Sequence, residues 1–376
     1  MTALLIGSEI YRGSSYGQAH PLAVPRVSTV LDLSRALGWL PADLYRQSPR
    51  ALPTALLAWH SPAYIAALQK GEAQGSLPDD LRARHGLGTL SNPIFGQMYR
   101  RPATGVGGVM LAAELVLAGG VVHVPGGGTH HGMPDRANGF CYLNDPVLCL
   151  LTLRRLGLQR VAYVDIDAHH PDGVEHGFAG DPQALLISVH EDHRWPFTGA
   201  LADDGGGNCY NLPVPAGFND TEMRAALDTI ILPLVQRFAP EVLVVQCGAD
   251  GLSEDPLSRL ALSNRAHREV VGALRRLCPR LIVLGGGGYN PWSVARCWTG
   301  IWGLLSGREV PDDLPPDARE ILAALTWSRL RGPLPEAWVA SLSDPPREGP
   351  VRAEVRERIA TLARRRPSAG DAMARG

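Results

Sequence analysis

Short apolar segments alternate with longer stretches of helical periodicity along most of the chain. Apolar segments of four to eight residues are typical of strands buried on both faces, and the stretches between them are typical of covering helices. This order predicts an α/β protein with an open, mostly parallel β-sheet and helices on both faces. At least six strands are expected, over residues 3–7, 121–124, 161–167, 184–190, 241–247 and 280–285.

The segments between the strands are expected to be helical, and one of them carries signals for both of its ends. Ser61 before Pro62 fits an N-cap followed by proline at the first helical position, and Gly71 fits a C-terminal stop. Pro233 is expected to kink its helix because proline cannot donate a backbone hydrogen bond. The other helices are predicted near residues 102–118, 146–156, 220–238, 263–277 and 291–305.

The composition limits the class of protein and its expected partners. The chain has 376 residues, of which 45% are hydrophobic and 19% charged, and no linker-like stretch interrupts residues 1–350. We therefore predict one domain over residues 1–350, followed by a C-terminal helix and a flexible tail over residues 351–376. A net charge of -1 gives no basic field, so neither nucleic acid nor a membrane is an expected partner.

The cysteines and the first residues of the chain bear on its location. The six cysteines form no CxxC pair, and the opening MTALLIGSEI has no basic stretch of the kind that begins a secretory signal. No apolar stretch is long enough to span a bilayer. The sequence therefore predicts a cytoplasmic protein with reduced cysteines.

Glycine and ionisable residues directly follow four of the predicted strands. Parallel strands end at one edge of a sheet, where ligands bind, so these residues are expected to meet. In an extended segment, Asp165, Asp167 and His169 alternate and can point to the same side. With Asp250 at the end of another strand, they predict a site for a divalent ion such as zinc, with a coordination position left open for water.

Two further groups have chemistry that suits the same edge. His130 and His131 follow a triple glycine, and adjacent imidazoles suit a reaction in which one accepts a proton and the other donates one. Asp165 and Asp172 are candidate carboxylates behind them. Tyr289 follows four glycines that match no phosphate-binding motif, so its hydroxyl is a candidate oxyanion ligand, with a buried core tyrosine as the alternative.

Together these segments resemble the histone deacetylase family, most closely its bacterial deacetylase-like and acetoin-utilisation members. The resemblance extends over nearly all of residues 1–350 and is carried by AHPLAVPRVS, HSPAYIAAL, GGGTHHGMPDRANGFCYLND, DIDAHHPDG, GADGLSEDPL and LGGGGYNPW. It implies an arginase/deacetylase-like fold in which residues 1–350 are the catalytic domain. It also implies a zinc-dependent amide hydrolase, with Fe²⁺ as another candidate metal, that removes acyl groups from Nε-acyl-lysine and releases acetate.

The resemblance implies a role for each matching residue. The implied metal ligands are Asp167, His169 and Asp250. The implied catalytic residues are His130, His131, Asp165, Asp172 and Tyr289. Substrate binding is implied for Gly139, Phe140, Phe197 and Leu257, although the residues alone leave Phe140 and Phe197 equally open to a packing role. A structural potassium ion is implied near Asp165, Asp167, His169, Ser188 and Val189.

One departure from the family and three alternative functions are considered at this point. The rim segment HGLGTLSNPIF offers Ser91 and no acidic residue, where many family members hold a peptide backbone with a carboxylate. The rim therefore lacks that contact to a peptide. Small acylated amines such as acetylpolyamines are an alternative substrate, although the same segment lacks the long insertion that resembles a selectivity loop in acetylpolyamine-cleaving relatives. A non-catalytic acyl-lysine binding module is a third class. Ureohydrolases resembling arginase need two further carboxylates, but Pro171 and Gly248 occupy those positions, so one metal ion is expected.

Overall fold

The apolar segments form the centre of the protein, which was obtained as a computed structural model that describes residues 3–365. Eight parallel strands lie in the order β2-β1-β3-β8-β7-β4-β5-β6. They are β1 (Ala3–Gly7), β2 (Tyr45–Gln47), β3 (Gly120–Val124), β4 (Val161–Asp165), β5 (Ala184–Glu191), β6 (Cys209–Val214), β7 (Val242–Gln246) and β8 (Arg280–Leu284).

The six predicted strands are all present, and the predicted α/β class is confirmed. The two strands that were not predicted, β2 and β6, lie at the edges of the sheet. β2 has only three residues, and β6 contains Pro213, which an edge strand tolerates because one side of it needs no ladder hydrogen bond. Neither strand therefore has the apolar run that marks a central strand.

Helices cover both faces of the sheet. The longer helices are Val27–Ala36, Pro62–Gln74, Arg100–Leu115, Asp145–Arg155, Asn264–Leu274, Pro291–Leu305 and Ala353–Arg364. The shorter ones are Ile10–Gly13, Pro53–Leu56, Asp79–His85, Asp172–Phe178, Asp220–Ala226, Leu232–Phe238, Pro316–Ala323 and Ala337–Ala340, with 3₁₀ turns at Pro21–Ala23, Ala42–Leu44 and Ala249–Gly251 and a π turn at Leu227–Ile231. No helix among residues 3–365 has the length and hydropathy needed to cross a membrane.

Alternate residues of the central strands point to opposite faces and join separate cores. In β7, Leu243 and Val245 belong to one buried cluster, whereas Val242 and Val244 belong to another on the opposite face. The helix Ala353–Arg364 buries Val355, Ile359 and Leu362 in the first of these clusters. The tail predicted after this helix lies beyond Arg365, outside the described residues.

The predicted stop at Gly71 is wrong, while the predicted N-cap is confirmed. The Ser61 hydroxyl accepts a hydrogen bond from the Tyr64 backbone N–H at 3.3 Å. The helix then continues through Gly71 and ends before Gly75, whose φ of +67° is the left-handed conformation that glycine adopts at helix ends. Gly71 serves packing instead, because a Cβ there would lie 3.0 Å from the Met98 sulfur.

The helix predicted over residues 220–238 is present without a break, and a π turn interrupts its regular α-helical hydrogen bonding next to Pro233. Asp220–Ala226 is followed by the π turn Leu227–Ile231 and then by Leu232–Phe238, in which Pro233 lies in the first turn. Proline cannot donate the backbone hydrogen bond of a regular helix, and a local change of helical hydrogen bonding directly before it is a known response to that loss.

Candidate active site

The loops that carry the candidate residues follow β3, β8, β7 and β4, which are neighbours in the middle of the sheet. Their carboxyl ends therefore bring the four segments to one place, as expected for an open α/β sheet. The residues after β4 leave the strand at Asp165, so Asp167 and His169 lie in a turn rather than in the extended segment that was predicted.

Three side chains from two of these loops meet in what we call the metal triad: Asp167, His169 and Asp250. One ligand atom of each lies within 4.8 Å of the other two. His169 Nδ1 is 2.9 Å from Asp250 Oδ2 and 3.3 Å from Asp167 Oδ1. Both carboxylates are buried, and the Gly287 backbone N–H donates to Asp167 Oδ2 at 2.7 Å. The triad is the single group of this kind among residues 3–365.

Glycines make the space in which the triad carboxylates lie. A Cβ on Gly248 would lie 2.0 Å from Asp167 Oδ2, and one on Gly287 would lie 2.0 Å from Asp250 Oδ2. Neither position has room for a side chain while the carboxylates keep their places. Gly248 is one of the positions at which a second metal ion would need a carboxylate, so the geometry favours one ion.

The donor set of the triad fits a divalent cation. Burial lowers the pKa of His169, but the hydrogen bonds and charges of Asp167 and Asp250 outweigh it and raise the pKa to about 10. The buried carboxylates of Asp167 and Asp250 therefore stabilise a positive charge between them. A protonated His169 can provide this charge, and a bound metal ion would provide it in place of that proton. Two carboxylates and one imidazole are ligands that zinc accepts in open sites.

His130 and His131 each have a carboxylate behind them, as the sequence predicted. His130 Nδ1 lies 2.8 Å from Asp165 Oδ2, and His131 Nδ1 lies 2.6 Å from Asp172 Oδ1. The two imidazole rings are 3.9 Å apart, centre to centre. Because each Nδ1 is engaged by a carboxylate, each Nε2 is the nitrogen left for chemistry.

Burial lowers the pKa of both imidazoles, but their charged neighbours differ. The carboxylates of Asp165 and Asp167 outweigh burial at His130 and raise its pKa to about 9. At His131, burial and the charge of His130 outweigh the help of Asp172 and lower the pKa to about 4. A cation held by the metal triad would lower the pKa of His130, so the separation of these two pKa values does not by itself decide which imidazole accepts a proton and which donates one.

We call the two histidine–aspartate pairs the His–Asp dyads. Residues that the sequence did not single out hold them in place. The Tyr163 hydroxyl lies 2.7 Å from both Asp165 Oδ2 and Gln246 Oε1, so it can donate to either. Asn138 Nδ2 donates to Asp172 Oδ2 at 3.0 Å. Asp145 accepts from the Gly128 and Thr129 backbone N–H groups at 2.7 Å and so fixes the loop before His130.

Tyr289 enters the site with its hydroxyl unengaged by any residue from 3 to 365. Burial raises the pKa of this phenol well above its ordinary value, so the hydroxyl keeps its proton and can donate. Asp255, another residue that was not predicted, accepts from the Tyr289 N–H at 2.6 Å and from the Leu257 N–H at 2.9 Å. This buried carboxylate thus positions Tyr289 and Leu257 together.

A cavity of about 1040 Å³ opens onto His131, His169 and Tyr289. Gly139, Phe140 and Leu257 line it, as does Phe197, but the Phe197 side chain is 74% exposed at the outer end. Trp195, which was not predicted, lies deeper: its ring is 4.6 Å from that of His131, and a Cβ on Gly139 would lie 2.1 Å from it.

The backbone at both predicted phenylalanines is unusual. Phe140 and Phe197 have φ values of +68° and +63°, a left-handed conformation that is costly for a residue with a bulky side chain. Such strain is typical of functional positions, because surrounding contacts must hold it in place. The Phe140 N–H donates to Asn92 Oδ1 at 3.0 Å, and the Phe140 ring lies edge-on to Tyr289.

Ser188, Val189 and His170 lie beside this centre. Ser188 on β5 pairs with Asp165 on β4, and Val189 follows Ser188, so these three implied potassium ligands are neighbours in the sheet. The potassium ion itself stays a prediction. His170 points away from the triad: its Nδ1 lies 2.9 Å from the Thr198 hydroxyl and its Nε2 3.1 Å from both Glu175 and Asn211.

Comparison with known proteins gives consistent matches. The histone deacetylase domain matches residues 20–305. The acetoin utilization protein AcuC of Bacillus subtilis is 33% identical to this chain, with 84% of this chain and 85% of that protein aligned. Histone deacetylase 2 of rice is 35% identical over 80% of this chain, which spans about 60% of the rice protein.

Solved structures match over almost the whole chain. The crystal structure of a histone deacetylase homologue from Aquifex aeolicus is 36% identical and superimposes with a TM-score of 0.92, covering 96% of this chain and 100% of that one. A histone deacetylase homologue complexed with SAHA superimposes with a TM-score of 0.91 and the same coverage.

Proposed function

Because this chain belongs to the histone deacetylase family, we propose that it is a zinc-dependent hydrolase that cleaves the amide of Nε-acyl-lysine side chains and releases acetate. One observation supports this most strongly: the metal triad, both His–Asp dyads and the Tyr289 hydroxyl converge at the inner end of one cavity. Metal-assisted transfer of an acyl group to water uses a cation, a proton acceptor, a proton donor and an oxyanion ligand, and this arrangement has candidates for all four.

Asp167, His169 and Asp250 would hold the metal ion. When bound there, zinc would polarise the amide carbonyl and lower the pKa of water. His130, supported by Asp165, is assigned to accept the proton of the attacking water, and His131, supported by Asp172, to donate one to the departing amine. His131 lines the cavity directly, which suits a residue that must reach the leaving group.

Tyr289 is assigned to the oxyanion. Its protonated hydroxyl has no acceptor among the described residues, so it is available to the oxygen on which negative charge develops. The Gly139 carbonyl is assigned to the substrate N–H, since its one hydrogen bond in the structure is a weak 3.3 Å contact from the Cys141 thiol. Phe140, Trp195 and Leu257 would surround the lysine methylenes, whose transfer from water is favourable.

The test is acetate release from an Nε-acetyl-lysine peptide by zinc-loaded protein, with a chelator-treated sample as control. Release that the chelator abolishes and added zinc restores is the expected result. Acetylpolyamine is run in parallel, and turnover of the polyamine alone would replace acyl-lysine by small acylated amines. No hydrolysis of any amide by protein that binds zinc would favour the non-catalytic module instead.

A further inference from the structure

The cavity is larger than one acyl-lysine side chain requires. Its volume of about 1040 Å³ is at the upper end of the range, roughly 300–1000 Å³, that accommodates whole drug-sized ligands. An acylated lysine is a single unbranched chain, so the outer part of the cavity is free for the residues on either side of it. We call this outer part the mouth and define it by four of its exposed lining residues, Arg136, Phe197, Arg259 and Glu354.

Charged side chains line the outer cavity, and some of them neutralise each other. Arg194 donates to Glu191 at 2.8 Å, and Arg358 pairs with Asp192 at 2.8 Å. The other charged lining residues are Arg136, Arg259 and Glu354, whose side chains form no hydrogen bond or ion pair with residues 3–365. The charged groups at the mouth that have no partner among residues 3–365 are therefore two guanidinium groups and one carboxylate.

The Arg259 backbone is fixed by hydrogen bonds, whereas its side chain has no partner among residues 3–365. Its N–H donates to Glu191 Oε2 at 2.8 Å, and its carbonyl accepts from the Gly217 N–H at 2.7 Å. Two residues earlier on the same segment, Leu257 lines the cavity, and the Ser258 hydroxyl donates to the Asp250 carbonyl at 2.5 Å. The Arg259 backbone is thus fixed two residues, roughly 7 Å along the chain, from Leu257 in the cavity wall.

Arg136 is placed in a comparable way on a different segment. It comes three residues before Gly139, and its carbonyl accepts from the Met133 N–H at 3.1 Å. The next residue, Ala137, donates its N–H to the His85 carbonyl at 2.9 Å. The loop that begins at His85 adds Thr89 and Ser91 to the cavity and no carboxylate. Nothing acidic in that loop offsets the charge of Arg136.

Glu354 is offset by its own helix. It lies four residues before Arg358 on the helix Ala353–Arg364, and side chains at this spacing share a helix face. The positive charge of Arg358, which also pairs with Asp192, is therefore shared between the two carboxylates. The carboxylate of Glu354 has a cation nearby, whereas the guanidinium groups of Arg136 and Arg259 have no anion within ion-pair distance among residues 3–365.

From this arrangement we infer that Arg136 and Arg259 select substrates that carry carboxylates next to the acyl-lysine. This inference rests on the proposed function and adds a substrate class: acyl-lysine peptides with aspartate or glutamate within about two positions of the lysine. Guanidinium groups are suited to carboxylates because their donors form a planar fork. Polycationic acylated amines are correspondingly poor substrates.

The experiment compares three acetyl-lysine peptides that differ only in having aspartate, glutamine or arginine at the two flanking positions on each side. The expected kcat/KM is highest for the acidic peptide, by about fivefold over the basic one, since exposed charge pairs contribute little each. This ratio should fall towards one in 0.5 M salt, because salt screens exposed charges. The double variant Arg136→Gln/Arg259→Gln should abolish the preference, and Arg259→Glu should reverse it.

The controls separate this inference from the proposed function. Arg237→Gln, which removes an exposed arginine from a helix that does not line the cavity, should leave the acidic-to-basic ratio unchanged. If the wild-type protein hydrolyses the glutamine-flanked peptide but shows no charge preference, or prefers arginine, the inference is wrong and the proposed function stands. If none of the three peptides is hydrolysed, the proposed function itself fails.

Discussion

The inner end of the cavity and its mouth are built in opposite ways. At the inner end, Asp165, Asp167 and Asp250 are buried and every carboxylate has partners that fix its position. At the mouth, Arg259 and Glu354 are exposed and their side chains have no hydrogen-bond partner among the described residues. The difference indicates that the inner end is shaped for one reaction, while the mouth leaves its charges for the substrate to pair.

The largest effect is expected from removing a metal ligand at the inner end. Asp250→Ala should bind no metal ion with useful affinity and lose at least about 1000-fold in kcat/KM, because both carbonyl activation and water activation need the ion. Metal analysis of the purified variant and acetate release measure the two effects. The matched control is Asp228→Ala, which removes an exposed carboxylate that does not line the cavity. This variant should retain metal binding and acetate release.

Tyr289→Phe separates oxyanion binding from metal binding. The variant should keep one metal ion per chain and lose about 100- to 1000-fold in kcat, the cost of removing one preorganised oxyanion donor. Its thermal stability should be nearly unchanged because the hydroxyl forms no hydrogen bond with residues 3–365. Full activity in this variant would remove the role assigned to Tyr289.

Asp255→Asn tests a positioning residue behind the inner end. Its carboxylate accepts from two backbone N–H groups, and an amide can replace only one of its oxygens. We expect kcat to fall by about ten- to a hundredfold through displacement of Tyr289, with metal content unchanged. Combining it with Tyr289→Phe should add little further loss, since both act through the same hydroxyl. Additive losses would show that Asp255 acts elsewhere.

The smallest effects on kcat/KM are expected from two aromatic residues that lie at different depths in the cavity. Trp195→Ala should raise KM and lower kcat/KM by about tenfold, because its ring packs against His131 and closes the cavity beside Gly139. Phe197→Ala should change kcat/KM less than about threefold, because the side chain is 74% exposed. Steady-state kinetics with one short peptide distinguish them. A larger effect at Phe197 would place the limiting contact at the mouth.

Much of the inner end could be predicted from the sequence because its signals are local. Asp165, Asp167 and His169 lie within five residues at the carboxyl end of one buried strand, and the carboxyl ends of parallel strands meet at one edge of the sheet. The pairing of His131 with Asp172 and of His130 with Asp165 follows from the same edge. The resemblance to a known family named the same residues.

The supporting residues could not be predicted because their partners are distant in sequence. Asp255 contacts Tyr289 across 34 positions, and Trp195 lies beside Gly139 only after two loops have folded. A tryptophan or an aspartate in a loop has no local pattern that indicates such a role. The end of the helix Pro62–Gln74 shows the same limit. Gly71 and Gly75 both suit a helix stop in the sequence, and only the fold shows that Gly71 is instead needed where the helix packs against Met98.

The most direct test of the metal-dependent inner end is a titration of metal-free protein with zinc while acetate release from the glutamine-flanked peptide is followed. We predict negligible release without metal and a linear rise that ends at one zinc ion per chain, because the residues from 3 to 365 contain one triad. Full activity in metal-free protein, or a rise that continues to two ions per chain, would contradict the account.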